Sequence, residues 1–283
     1  MSFWMPCLLI LFSILNAAIL RPHPPVRMQS PPSASPQLPK LESAAIQLEH
    51  ATKLKSSLRG AKDEARKSLA LEVVAAYRAV RQYWPESMEV CAEAAFRAGE
   101  LLRSSGDLTG ALTEFEFVRG GNVRTPFRAR AGLELGHLQR RGKHAEPALD
   151  AYLAVVADPL SEPARRDEAA LWAGRVYSEL GKLDEARRQW EAVAQRAEDS
   201  LQRVDAWDEL ALAAVDGGDF EGAAGWIAHA REGLADVALE ETVQGERVRN
   251  ALERMRAVRR LERAIAARDN ATPASNAPAP EKK

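Results

Sequence analysis

Apolar and small residues recur every three to four positions through residues 91–235, the spacing of amphipathic helices that each bury one face. One phrase returns with variations: AFRAGELLRSSGDLTGALTEF at 95–115, AALWAGRVYSELGKLDEARRQW at 169–190 and WDELALAAVDGGDFEGAAGWI at 207–227. In each, a small residue sits inside the first apolar stretch and a turn glycine follows seven residues later. An alanine and then a large apolar residue complete the phrase. Gly106, Gly142, Gly181 and Gly218 fall 36, 39 and 37 residues apart. A period of that length predicts stacked helix hairpins, none of which buries its apolar face alone.

The flanks extend the pattern less regularly. Leu41, Ala44, Ala45, Leu48, Ala51 and Leu54 mark one helical face, Gly60 interrupts it, and Leu69–Tyr83 forms a second helix closed by Pro85. This reads as a degenerate first hairpin. Val243, Val248, Leu252, Met255, Val258, Leu261 and Ile265 predict one long helix over 239–268, placed to cover the open core of the last hairpin. Residues 41–269 hold only five prolines; Pro85, Pro126, Pro159 and Pro163 lie between periodic stretches, and Pro147 fits a first helical turn. Strand-like alternation is nearly absent, and helix formers dominate. The body is predicted to be all-α, with a plain helical bundle as the competing arrangement.

These residues resemble the tetratricopeptide repeat, in which each unit of about 34 residues is a pair of antiparallel helices. Gly174, Tyr177, Ala186 and Trp190 match its signature positions, as do Gly99, Leu102, Ala111 and Phe115, and Trp207, Leu210, Ala211, Ala223 and Ile227. The unit around Gly142 reads as off register by one, with Leu135 and Gly136 in its first helix and Tyr152 and Pro159 in its second. The first hairpin keeps Tyr77 and Pro85. The resemblance covers 91–235 firmly and 41–268 loosely. It implies an all-α, right-handed solenoid of helix hairpins with a long C-terminal capping helix.

The resemblance also implies a concave groove lined by first-helix residues. By register these are Glu93, Phe96, Glu100 and Arg103, then Glu168, Leu171, Arg175 and Ser178, then Asp205, Asp208 and Leu212. For each alone, a solvated face is the plainer reading. Family members that grip a chain terminus place Lys and Asn at positions that here hold Phe96, Leu171 and Asp208. One turn on stand Glu100, Arg175 and Leu212. That clamp is missing. Asp205 and Asp208, with Asp216 nearby, predict a basic ligand at the last repeat.

Charge and chemistry narrow the function. The formal net charge of −1 gives no bulk attraction to nucleic acid, so no nucleic-acid partner is expected. No phosphate loop, HExxH, CxxC or GxSxG motif is present, so no catalytic residue, cofactor or metal is predicted. His137 and His144 flank the Gly142 turn and read as surface histidines before a metal pair. Cys91 reads as a small buried residue. Eight arginines in 247–268 face only Glu253 and Glu262. Their stems either cover the last repeat or form a docking stripe for an acidic partner, an anionic membrane or RNA.

At the N-terminus, Phe3–Leu20 is apolar apart from Ser13 and Asn16, which fits a signal peptide or a membrane anchor. No Lys or Arg precedes it, and Cys7 lies before the run, where a lipoprotein cysteine would follow it. A start at Met28 is the alternative. Seven prolines in 21–40 make an extended linker, and 269–283 a Pro/Ala tail. The expected organisation is therefore 1–20 signal or anchor, 21–40 linker, 41–268 repeat domain and 269–283 tail. The expected function is a non-enzymatic scaffold that binds a protein or peptide in its groove. Its expected location is the cell envelope (periplasm), with a possible N-terminal membrane tether; the alternative is a cytoplasmic adaptor or regulator.

Overall fold

The computed structural model describes residues 38–121 and 123–271, and among them no strand occurs. Helices α1 (Ala44–Ser56) and α2 (Asp63–Tyr83) form the first hairpin, with a short 3-10 turn at Ser57–Arg59. Four further hairpins follow: α3 (Met88–Ser105) with α4 (Leu108–Gly120), α5 (Pro126–Arg141) with α6 (Ala145–Ala157), α7 (Pro163–Glu179) with α8 (Leu183–Arg196), and α9 (Ser200–Asp216) with α10 (Phe220–Gly233). The chain ends in α11 (Ala235–Leu239), α12 (Val243–Glu253) and α13 (Arg256–Ala271). From α1 to α12 each helix packs on the next in sequence, while α13 packs back on α9 and α10; successive first helices α3, α5, α7 and α9 also touch one another. Successive second helices do not pack to that degree. First helices therefore line the inner side of a curved stack. The architecture is an all-α solenoid.

One contact repeats in every complete hairpin. Gly99 faces Phe115, Gly136 faces Tyr152 and Gly174 faces Trp190, and a Cβ on any of these glycines would lie closer than 3.0 Å to the ring. The partners are sixteen residues apart each time, and Ala211 with Ile227 keeps that spacing in the last hairpin. Where the second-helix side chain is aromatic the first helix carries glycine; where it is the smaller isoleucine, alanine suffices. Ala111, Ala148, Ala186 and Ala223, twelve residues after the small position, are all fully buried. Dense interiors tolerate no extra methyl at such crossings.

The same ruler revises the unit around Gly142. Its helices are in register, and only its turn differs. Gly106, Gly181 and Gly218 adopt left-handed φ values of 89°, 74° and 79°. Gly142 has φ −73°, and Lys143, seven residues after Gly136, takes the left-handed conformation at φ 63°. A lysine there is strained where glycine would not be.

Both flanks also depart from expectation. Leu38–Lys40, assigned to the linker, pack on the first hairpin: Tyr83 O–H donates to the Leu38 carbonyl at 2.5 Å, and Lys40 sits 4.4 Å over the Trp84 ring. The predicted helix over 239–268 is broken twice. Thr242 caps the start of α12 by accepting from Gly245 N–H at 3.0 Å, which leaves Val243 76% exposed and off the apolar stripe. The second break falls at Arg254–Met255, where a carboxylate from another helix starts α13. Between them α12 and α13 cover the end of the core, burying Val248, Leu252, Met255, Ala257 and Leu261 with Trp207 and Leu210 of α9. Residues 1–37 and 272–283, which hold the proposed leader, most of the linker and nearly all of the tail, lie outside the described residues.

Candidate functional site

The inner wall carries a row of half-buried charged side chains tied across neighbouring helices. Arg130 of α5 lies 3.4 Å from Glu100 of α3, and Arg103 of α3 is 3.3 Å from Glu134 of α5. Arg140 of α5 pairs with Glu179 of α7, and Arg175 of α7 donates to Glu209 of α9 at 2.7 Å. Aromatic rings back the row: Arg130 lies 4.4 Å over Phe96, and Arg175 lies 4.4 Å over Trp172. Partly desolvated cation–π contacts of this kind contribute about 0.5–2 kcal/mol.

The residues expected to line this wall divide into two groups. Glu93, Glu100, Arg103, Glu168, Arg175, Ser178 and Leu212 are half-buried, and Asp205 is exposed. Glu93 pairs with Arg97 in its own helix, and Glu168 accepts from Arg165 at 2.7 Å. Phe96, Leu171 and Asp208 are buried at 1%, 4% and 5% exposure, so they are not open contact residues. The position three residues before the small one points into the hairpin; the position after that, Glu134 and Trp172 among them, meets the groove.

Much of the acidic end is engaged inside the molecule: Asp208 and Asp216, expected to face a basic ligand, already hold partners, and Asp205 alone of the three stays open. Asp208 accepts Ala257 N–H at 2.8 Å and Arg256 Nε at 2.7 Å, so it caps α13 from a distance of 49 residues in sequence. Glu209 accepts from both Arg175 and Arg256, and Asp216 pairs with Arg260 at 2.6 Å. Asp205 stays open to solvent, although the surrounding walls withdraw enough water to push its carboxyl above the usual range.

The middle of the wall is different. A cavity of about 600 Å³ lies between α5 and α7 at the turn end, bordered by Arg103. His137 and Trp172 form its aromatic side, with ring centroids 4.9 Å apart at 78°. The Tyr152 hydroxyl lies 2.7 Å from His137 Nδ1. Burial pushes that phenol well above its ordinary range and pulls the imidazole below its own. The bond between them ties the imidazole to the second helix of its own hairpin and fixes the ring's orientation at the cavity wall. Burial also pushes the Glu134 carboxyl above its ordinary range, against the opposing pull of Arg103. Four cations, Arg103, Arg140, Arg141 and Lys143, stand against Glu134 and Glu179. His144 bonds to Gln139 at 3.0 Å, so the two turn histidines have separate partners. Cys91 is 1% exposed with its Sγ 3.2 Å from the Trp84 carbonyl, as a structural thiol would be.

No family model matches the chain, and no curated protein matches it in sequence. Solved structures do match in shape. A crystal structure of MamA protein superposes with TM-score 0.52 at 18% identity, over 71% of this chain and 96% of that one. The nearly identical TPR-like repeats of a kinesin light chain-like protein from Podosopora anserina superpose with TM-score 0.50 at 16% identity, over 71% of this chain and 100% of that one. The fold is a tetratricopeptide-type solenoid.

Within that solenoid, the inner face of α5 is the part that the sequence pattern does not single out. The turn at Gly142 lies one residue from the repeat's register and hides Arg130, Glu134, Arg140 and Arg141, while His137, expected at the surface, is half-buried. The sixteen-residue spacing of Gly136 and Tyr152 was the available signal, and it places His137 one residue after the small position, level with Glu100, Arg175 and Leu212.

Proposed function

We propose that this tetratricopeptide-type solenoid is a non-enzymatic scaffold that holds a protein or peptide segment along the inner face of α3, α5, α7 and α9. The observation that carries the reading is the continuous row of half-buried charged and aromatic side chains across all four first helices. A bound chain meets pre-positioned hydrogen-bonding groups there, with little ordering cost. The proposal includes export or tethering at the cell envelope, resting on the apolar run Phe3–Leu20 and the proline-rich segment after it. N-terminal sequencing of the mature chain tests that part: a start after the apolar run, or its retention in a membrane fraction, supports it, and a start at Met28 replaces it with a cytoplasmic adaptor.

The scaffold reading is tested by photo-crosslinking in the native cell. A photoreactive phenylalanine replaces Ser178 or Leu212 on the inner face, or Arg187 or Ala228 on exposed second-helix positions. The inner positions are expected to capture the same protein and the outer ones not to. Capture from the outer positions alone would move the site off the groove.

A further inference from the structure

We propose that the cavity between α5 and α7 is the groove's anchor for a carboxylate of an acidic segment in the bound chain. The inference rests on the scaffold reading and deepens it by naming the partner's chemistry. Two of the four cations bordering the cavity are already engaged: Arg140 donates from Nε to Glu179 at 3.0 Å, and Arg103 lies 3.3 Å from Glu134. Arg141 and Lys143 make no ion pair among the described residues, and both are exposed at the rim. The cavity therefore carries two uncompensated positive charges beside the His137 ring, whose Nε2 has no protein partner among the described residues. The Arg141 guanidinium and the Lys143 ammonium are donors only, so a ligand that meets them has to be an acceptor, and an anion satisfies them best.

The placement of Lys143 adds a second observation. It holds the left-handed turn conformation that glycine holds at the three equivalent turns, a strain of about 1–2 kcal/mol. Gly142 stands directly before it, so the turn could have been glycine at no cost to the helices. The strained position instead puts an ammonium group at the mouth of the cavity. These positions differ from those of the family's terminal clamp, held here by Phe96, Leu171 and Asp208. The acidic end of the groove, with Asp208, Glu209 and Asp216 consumed by Arg175, Arg256 and Arg260, offers a basic ligand little in comparison.

The test is calorimetric titration of the full chain with a capped octapeptide of alternating glutamate and alanine. The lysine–alanine counterpart, a glutamate-free peptide with a free C-terminus, and inorganic phosphate are the other probes. The proposal expects the glutamate peptide to bind, with affinity falling steeply with salt. It expects at least tenfold weaker binding in Arg141→Glu with Lys143→Glu, and no change in Arg259→Glu with Arg263→Glu, an equal charge reversal on α13. Lys143→Gly serves as a second variant that cannot destabilise the turn. No binding, preference for the lysine peptide, or equal loss in both double variants would overturn it. Tighter binding of the terminal carboxylate alone, or displacement by low-millimolar phosphate, would overturn the assignment to side-chain carboxylates. If the glutamate peptide fails while Ser178 and Leu212 still cross-link their partner, the anchor falls and the scaffold reading stands.

Discussion

Around α9, the carboxylates of Asp208, Glu209 and Asp216 are met by Arg175, Arg256, Arg260 and a backbone N–H of α13. Around α5, by contrast, Arg141 and Lys143 stand at a cavity mouth with no ion pair among the described residues. By sequence the first region looks like an acidic docking site, and the second shows no sign of one. Counting charges along a helix does not say which are left over after folding. What a partner meets is the unsatisfied remainder: Asp205 alone at the acidic end, and the two cations Arg141 and Lys143 in the middle of the groove.

The sharpest way to break the comparison is to remove Asp208. Asp208→Ala leaves Ala257 N–H uncapped and frees Arg256 from one of its two carboxylates. Truncating a buried member of an ion pair costs about 3–5 kcal/mol, and Arg256 is half-exposed, so about 2–4 kcal/mol is expected here. Urea denaturation should show the loss as a lower midpoint. An unchanged midpoint would mean that the acidic end is free after all.

A smaller effect is expected at the hairpin crossings. Gly136→Ala gains helix propensity of up to about 1 kcal/mol but drives a methyl into the Tyr152 ring, which costs about 1–3 kcal/mol and tilts the ring that orients His137. Gly225→Ala in α10, where a Cβ meets nothing within 4 Å, is the control and should raise thermal stability. Equal responses would contradict the packing rule.

The smallest change separates stability from binding. Lys143→Gly relieves the left-handed lysine and is expected to raise stability by about 0.5–1 kcal/mol, net of the added freedom of the unfolded chain. It should also weaken glutamate-peptide binding. A variant that is both less stable and equally competent to bind would remove the functional reading of the strain.

Much of the fold was legible because its rule is local. A small residue, a turn seven later, an alanine and a bulky side chain recur at fixed offsets, and packing enforces each offset at the crossing Gly174 makes with Trp190. The register of α5 was not legible from its turn, because Gly142 drew attention one residue away from the left-handed position. Its helix crossing preserved the answer. The fate of Asp208 was not legible at all. Its partner lies 49 residues away, and no periodicity links an aspartate in one helix to the first turn of another. The break at Arg254–Met255 was hidden for the same reason, since the cap that starts α13 is supplied by α9 and not by the neighbouring sequence.

Hydrogen–deuterium exchange across the full chain, comparing wild type with Asp208→Ala and with Arg141→Glu/Lys143→Glu, tests the contrast between the two regions most directly. Removing Asp208 should speed exchange over 256–271 and along the α9 face that α13 covers, while the double reversal at the cavity should leave protection unchanged throughout. Unaltered protection of 256–271 in Asp208→Ala, or loss of protection in α5 and α7 in the double variant, would contradict the division into a structural acidic end and a free basic cavity.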